Sequence, residues 1–159
     1  MLDADGLTGD DFDARTDVHE VGNAYRGALD ALDLNELLEV DCVLSLSASY
    51  GLGDPHRIAV HAEYLLDRWC TLKEQAAYVE SLNRKVGFKL FDAGIYTPEH
   101  LIFATAPRLF RRVQQDGRLT EESIHLGAPR VHMLHVGQQP GRKLSIPEGV
   151  LQPQESGFP

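Results

Sequence analysis

Residues 39–67, EVDCVLSLSASYGLGDPHRIAVHAEYLLD, contain two alternating apolar patterns separated by a turn rich in Gly, Asp and Pro. The alternating positions are Val40, Cys42, Leu44, Leu46, Ala48 and Tyr50 before the turn, and Ile58, Val60, Ala62, Tyr64 and Leu66 after it. A period of two residues is typical of a strand with one buried face, so this stretch predicts a β-hairpin.

The register of the predicted hairpin follows from the same pattern. The expected pairs are Val40–Leu66, Cys42–Tyr64, Leu44–Ala62, Leu46–Val60 and, next to the turn, Tyr50–His56. A slip of one residue would set apolar side chains opposite polar ones, so the sequence specifies this pairing.

A single long helix from Pro55 to Val86 is the alternative, because apolar residues in this range also recur at spacings of three and four. Asp54 followed by Pro55 would suit the start of such a helix. Residues 71–74, Thr-Leu-Lys-Glu, form a capping box, which marks a new helix beginning at Thr71 rather than the interior of a longer one. The hairpin is therefore the preferred interpretation.

Outward from the hairpin, helical spacing of apolar residues predicts helices over residues 17–33 and 71–86. Pro107 predicts the start of a third helix over residues 107–115, which Asp116-Gly117 would end. Gly22 and Gly27 weaken the first of these by roughly 1 kcal/mol each, which is compatible with close packing of this helix against the sheet. Residues 131–136 predict a further strand, with residues 143–146 as its hairpin partner.

Together these elements predict an α+β fold: an antiparallel sheet built on the long β-hairpin at about 39–67, with two or three helices packed on one face. The length of 159 residues suits one domain with a substantial core. Residues 1–17 contain six aspartates and one arginine, and residues 137–159 contain four prolines and four glycines. We therefore expect an acidic N-terminal arm at 1–17, a single α+β domain at 18–136 and a Pro/Gly-rich hairpin or tail at 137–159.

Composition limits the function classes. A net charge of -9 argues against general binding of nucleic acid, which needs clustered cations. No apolar run approaches the roughly 20 residues that span a membrane, and no secretory signal is visible, so we expect a protein of the cytoplasm or of a particle. The two cysteines match no zinc or redox motif, and we expect no cofactor.

Charge is unevenly distributed along the chain. Residues 84–118 hold seven basic and three acidic residues, whereas the N-terminal arm is acidic. On the predicted helix 107–115, three arginines share roughly one face, which is either a solvated face or a dock for an acidic partner such as the arm of another copy. The candidate interface residues are Arg108, Arg111 and Arg112 on the helix, and Asp10, Asp11 and Asp13 on the arm.

The polar face of the predicted hairpin carries the candidate chemistry. Ser45 lies opposite His61 in the expected register, and His61 shares this face with Glu63. A serine beside a histidine is a nucleophile–base pattern, but a flat strand offers no oxyanion hole, so a simple polar face is the preferred interpretation. His61 and Glu63 could also bind a metal if His132 on the last strand lies nearby, although no HxxxH or HExxH motif is present.

The order of hairpin, helix and then Val86-Gly87-Phe88-Lys89-Leu90-Phe91 resembles the chorismate lyase fold over about 50 residues. The resemblance implies a helix that leads into a segment of the Gly-x-x-Leu-Phe type. The arginine on the central strand and the glutamate on a late strand of that family have no counterpart here, where His132 and His135 occupy the late strand. The activity of that family is therefore not expected.

The leading hypothesis is a non-enzymatic structural or assembly subunit that contacts copies of itself, or other subunits of a larger particle such as a virion, through its terminal arms. The alternative is a small-molecule-binding domain or enzyme that uses the polar face of the sheet, with His61 and Glu63 as acid–base groups.

Overall fold

The computed structural model of the chain describes residues 1–9, 11–14, 18–47, 49–51, 53–96, 109–115, 118–124, 132–135 and 137–148. The strands are β1 (Leu2–Thr8), β2 (Cys42–Leu46), β3 (Arg57–Tyr64), β4 (Leu109–Gln115), β5 (Arg118–Ile124) and β6 (His132–His135). The helices are α1 (Val21–Ala31), α2 (Asn35–Leu38) and α3 (Leu72–Val86), and 3-10 turns occupy Val18–Glu20 and Ala93–Tyr96. A four-stranded antiparallel sheet with helices confirms the predicted α+β class.

The hairpin formed by β2 and β3 has the predicted register. Cys42 pairs with Tyr64, Leu44 with Ala62 and Leu46 with Val60. Both strands are shorter than the predicted range, because β2 ends at Leu46 and β3 begins at Arg57. The alternative helix from Pro55 to Val86 is wrong, since β3 is extended through the first part of that range.

Helix α3 begins where the capping box predicts. The Thr71 hydroxyl accepts a hydrogen bond from the Glu74 backbone N–H at 3.2 Å, and the Glu74 carboxylate accepts one from the Thr71 N–H at 2.8 Å. Gly87 ends the helix with a φ of 83°. That left-handed conformation is open to glycine and strained for most other residues, which explains where the helix stops.

The acidic N-terminal stretch contributes a strand to the sheet. The strand order is β1-β3-β2-β6, and β1 pairs antiparallel with β3 at one edge. Leu2, Ala4 and Leu7 on β1 are buried. The expectation of a solvated arm is therefore wrong for Leu2–Thr8, because these apolar side chains enter the core while aspartates occupy positions between them.

Two further expectations about the second half of the chain are wrong. Residues 109–115 form strand β4, not a helix, and pair antiparallel with β5. Gln115 pairs with Arg118 on either side of Asp116-Gly117, and Asp-Gly between two strands is a strong signal for a two-residue hairpin. Strand β6 is present as predicted, but it pairs with β2, whereas Leu144 forms a parallel bridge with Leu66.

One hydrophobic core joins the sheet to the helices and to the segment after β6. Its helical members are Val21, Tyr25, Ala28 and Leu29 of α1, Leu37 and Leu38 of α2, and Tyr78, Val79 and Leu82 of α3. Leu144 and Ile146 belong to the same core. The part of the predicted tail at 137–148 is therefore anchored by apolar burial.

Candidate functional site

Polar residues form a row across the four-stranded sheet. Asp3 of β1 pairs with His61 of β3, His61 pairs with Ser45 of β2, and Ser45 pairs with His132 of β6. Directly paired residues share a face of an antiparallel sheet, so the topology assigns these four positions to one side. The sequence predicted the Ser45–His61 pair, whereas Asp3 was not among the candidates.

The closest contact in this row joins β1 to β3. His61 Nε2 lies 3.5 Å from Asp3 Oδ1, and the two side chains are only 13% and 16% exposed. On the edge of β1 that faces away from β3, the Asp3 carbonyl accepts a hydrogen bond from the Asp92 N–H at 3.1 Å, which also holds the strand in place. A largely buried imidazole beside a carboxylate is an arrangement found in general acid–base catalysis.

Tyr96 lies close to this pair. Its hydroxyl donates a hydrogen bond to the Met1 carbonyl. Burial, with a smaller contribution from the charge of Asp3, raises the pKa of Tyr96 well above its usual range. The phenol therefore remains protonated at neutral pH and acts as a donor at the edge of the row.

The two other candidates for chemistry, Ser45 and Glu63, lie on the same face of the sheet as His61. Ser45 is half-buried in the middle of β2, where a flat strand provides no oxyanion hole. Glu63 is exposed and lies opposite Val43. Among the side chains that the structure describes, which exclude that of His132, no group of three or more His, Cys, Asp or Glu could hold a metal ion.

The interface candidates are dispersed along the fold. Asp11 is exposed and Asp13 is half-buried in the loop after β1, while Asp10 and Arg108 lie outside the described residues. Arg111 and Arg112 lie on strand β4, so the expected helix face that they would share with Arg108 does not form at these two positions. The predicted basic helix is therefore absent from this segment, and contact of these residues with a partner stays a prediction.

Three large apolar residues in and next to the loop between β3 and α3 are exposed, which the sequence analysis did not predict. Leu65 follows β3, Trp69 lies in the loop, and Leu72 begins α3, with exposures of 68%, 82% and 49%. We call these three residues the Trp69 surface. Only the alternative helix from Pro55 to Val86 would have placed them, by their spacing of three and four, on one helical stripe. Strand β3 ends at Tyr64 instead, so Leu65 and Trp69 lie between β3 and α3.

The loop that carries Trp69 is held by hydrogen bonds along its length. Leu144 N–H donates to the Leu65 carbonyl at 2.9 Å, and Asp67 N–H donates to the Leu144 carbonyl at 3.1 Å. The Arg68 guanidinium donates to the carbonyls of Trp69 and Ile146, each at 3.1 Å. The indole is thus exposed on a fixed backbone rather than on a loosely attached one.

The same arginine connects the loop to α3. Arg68 donates to the Glu74 carboxylate at 3.0 Å, which also accepts from the Thr71 N–H and hydroxyl. The Thr71 backbone hydrogen bond, then its hydroxyl and Arg68, lower the pKa of Glu74. The carboxylate is therefore ionised at neutral pH and joins the capping box to the Trp69 loop.

On the other face of the sheet lies a buried cluster of three titratable groups. The hydroxyls of Tyr25 and Tyr64 are 2.8 Å apart, and Tyr64 is hydrogen-bonded to the Cys42 thiol. Burial, with a contribution from Asp41, raises the pKa of Cys42 to about 12, against a weaker opposing effect of Tyr64. Cys42 therefore stays a thiol at neutral pH and is a structural, unreactive cysteine.

Comparison of the chain with models of protein families, with curated proteins and with solved structures finds no match. Within the described ranges, no helix combines the length and the apolarity that crossing a bilayer requires.

Proposed function

We propose that this chain is a non-enzymatic subunit of an assembly and that it binds a second copy of itself through the Trp69 surface. The observation that carries the proposal is the indole of Trp69, which is 82% exposed on a loop fixed by hydrogen bonds. Tryptophans of this kind are enriched among the residues that dominate binding energy at protein interfaces.

A fixed, exposed indole gains free energy when a partner buries it. Burying a large apolar side chain stabilises a complex by about 1.5–3 kcal/mol, and Leu65 and Leu72 would add to this. Ordering a mobile loop costs free energy on binding, but the loop here is already held by Arg68 and Leu144. The surface is therefore preorganised for a partner.

Charges beside the surface support a second copy as the partner. Asp67 and Lys73 are both exposed and flank Trp69 along the chain with opposite signs. In a two-fold interface each contact occurs twice, so Asp67 of each copy can face Lys73 of the other. Such a reciprocal pair also offsets the repulsion between two chains that each carry a net charge of -9.

Size-exclusion chromatography with multi-angle light scattering tests the proposal. We expect the wild-type chain to be a dimer whose dissociation constant rises about 30-fold or more in the Trp69→Ala variant. Phe88→Ala is the control, because Phe88 is a partly exposed aromatic residue, at 47%, outside the Trp69 surface. A wild-type chain that is monomeric at every concentration would contradict the proposal.

A charge exchange tests the two-fold geometry separately. Lys73→Asp should weaken the dimer by placing aspartates opposite each other, and addition of Asp67→Lys should restore it. The double variant could fail to restore the dimer while Trp69→Ala still weakens it. That result would mean that the two copies meet through the Trp69 surface in a different arrangement.

The His61–Asp3 contact favours a second candidate function, proton-transfer chemistry on a small molecule at the polar row. Here His61 is the acid–base group and Asp3 orients its ring, while Glu63 lies at the exposed end of the same face. The observation behind it is the 3.5 Å separation of two largely buried groups.

The Kemp elimination of 5-nitrobenzisoxazole, in which a general base removes a proton from carbon, tests this candidate. Positioned general bases contribute roughly 100-fold or more, so we expect His61→Asn to remove most of any rate above that of free imidazole. His19→Asn is the control, because His19 is an exposed histidine in the turn before α1. Equal losses in the two variants would count against a role for His61.

A further inference from the structure

A groove of about 640 Å³ runs between α1 and the end of β1, on a part of the molecule that shares no residue with the Trp69 surface. Its floor includes Leu7 and Phe12, which belong to the hydrophobic core. One wall of the groove is a face of α1 and its ends, from Glu20 to Leu32, which spans about 18 Å. This volume is within the range of sites for small molecules, roughly 300–1,000 Å³.

The groove has a charged rim of one sign. Asp11 and Glu20 are exposed and line it, and the Asn23 side-chain amide donates a hydrogen bond to Glu20 at 2.7 Å. No basic side chain is among the described residues that line the groove. An apolar floor beneath two carboxylates is complementary to a molecule with an apolar body and a cationic group.

A glycine on α1 leaves room for an occupant of the groove. Gly27 lines the groove, and a Cβ built on it would have no atom within 4 Å. The sequence had suggested that the glycines of α1 allow close packing against the sheet, but no atom of the described residues lies within 4 Å of a Cβ built on either of them. Glycine inside a helix costs roughly 1 kcal/mol relative to alanine, so the cost at Gly27 is not offset by contacts within the described chain.

We infer that this groove binds a small amphiphilic amine, with its apolar body over Phe12 and Gly27 and its ammonium group between Asp11 and Glu20. A side chain at position 27 would occupy the space that the body of the ligand takes. The inference is independent of self-association, because the groove shares no residue with the Trp69 surface.

Titrations followed by ¹⁵N–¹H correlation spectra test the inference with three probes that differ in charge: 2-phenylethylamine, 2-phenylethanol and 3-phenylpropionate. We expect the amine to shift amide signals of residues 6–9 and 20–32 at lower concentration than the alcohol, and the carboxylate to shift them least. Replacing the rim by Asp11→Asn with Glu20→Gln should weaken binding of the amine by roughly two- to fivefold, as expected for exposed ion pairs.

The matched pair Gly27→Leu and Gly22→Leu tests the position of the ligand. Both glycines are on α1 with open space around a built Cβ, but only Gly27 lines the groove. Both variants should be at least as stable as the wild type to heat, since leucine favours helix, and only Gly27→Leu should abolish the shifts. Equal response to the amine and the carboxylate, or unchanged binding by Gly27→Leu, would overturn the inference.

Discussion

At the scale of single residues, Glu74 links the helix cap to the loop that presents Trp69. Its carboxylate accepts hydrogen bonds from the Thr71 N–H at 2.8 Å, the Thr71 hydroxyl at 3.0 Å and Arg68 at 3.0 Å. These contacts lower the pKa of Glu74, the Thr71 backbone bond most of all. An acid with a lowered folded pKa adds stability above its unfolded pKa, about 4.3 for glutamate, and loses it as pH falls through the folded value.

We therefore predict that part of the acid sensitivity of the fold comes from Glu74. The free energy of unfolding should fall below about pH 4.3 more steeply in the wild type than in Glu74→Gln, which lacks the titrating group. Urea unfolding at several pH values between neutrality and pH 3 measures this. Glu80→Gln on the exposed side of α3 is the control, and identical pH profiles for wild type and Glu74→Gln would refute the prediction.

At the scale of elements, local patterns predicted the hairpin and α3, because period-two alternation and a capping box are short-range signals. Period-two alternation did not predict strand β1, for a structural reason. An irregularity between Ala4 and Leu7 shifts its pairing with β3, so its apolar residues do not keep a strict period of two. The many aspartates nearby then suggested a solvated arm.

Other elements depended on pairing between distant segments. Strand β6 was expected from residues 131–136, but its place beside β2 joins positions about 90 residues apart. Only part of the polar row could be predicted from the sequence. Ser45 and His61 are neighbours within one hairpin, whereas Asp3 is next to His61 only because β1 pairs with β3. The exposure of Trp69 likewise depends on where β3 ends, which no local period specifies.

At the scale of the whole molecule, the core contains protonated acids that cannot ionise without loss of packing. Burial raises the pKa of Cys42 to about 12 and, above their usual range, those of Tyr25, Tyr64 and Tyr78. The unfolded chain releases these protons at lower pH, near 8.5 for cysteine and 10 for tyrosine. Above those values the unfolded state binds fewer protons than the native state, so stability falls as pH rises.

We predict an alkaline loss of stability that begins near pH 8.5 and steepens above pH 10, with a slope of at most about 1.4 kcal/mol per pH unit for each group. Cys42→Ala should remove the first part of the decline while the tyrosine part remains. Urea unfolding between neutrality and pH 10.5 measures both, and Cys70→Ala is the control for loss of a second buried cysteine. If wild type and Cys42→Ala lose stability in parallel between pH 8.5 and 10, the Cys42 thiol is not the group whose burial sets the onset.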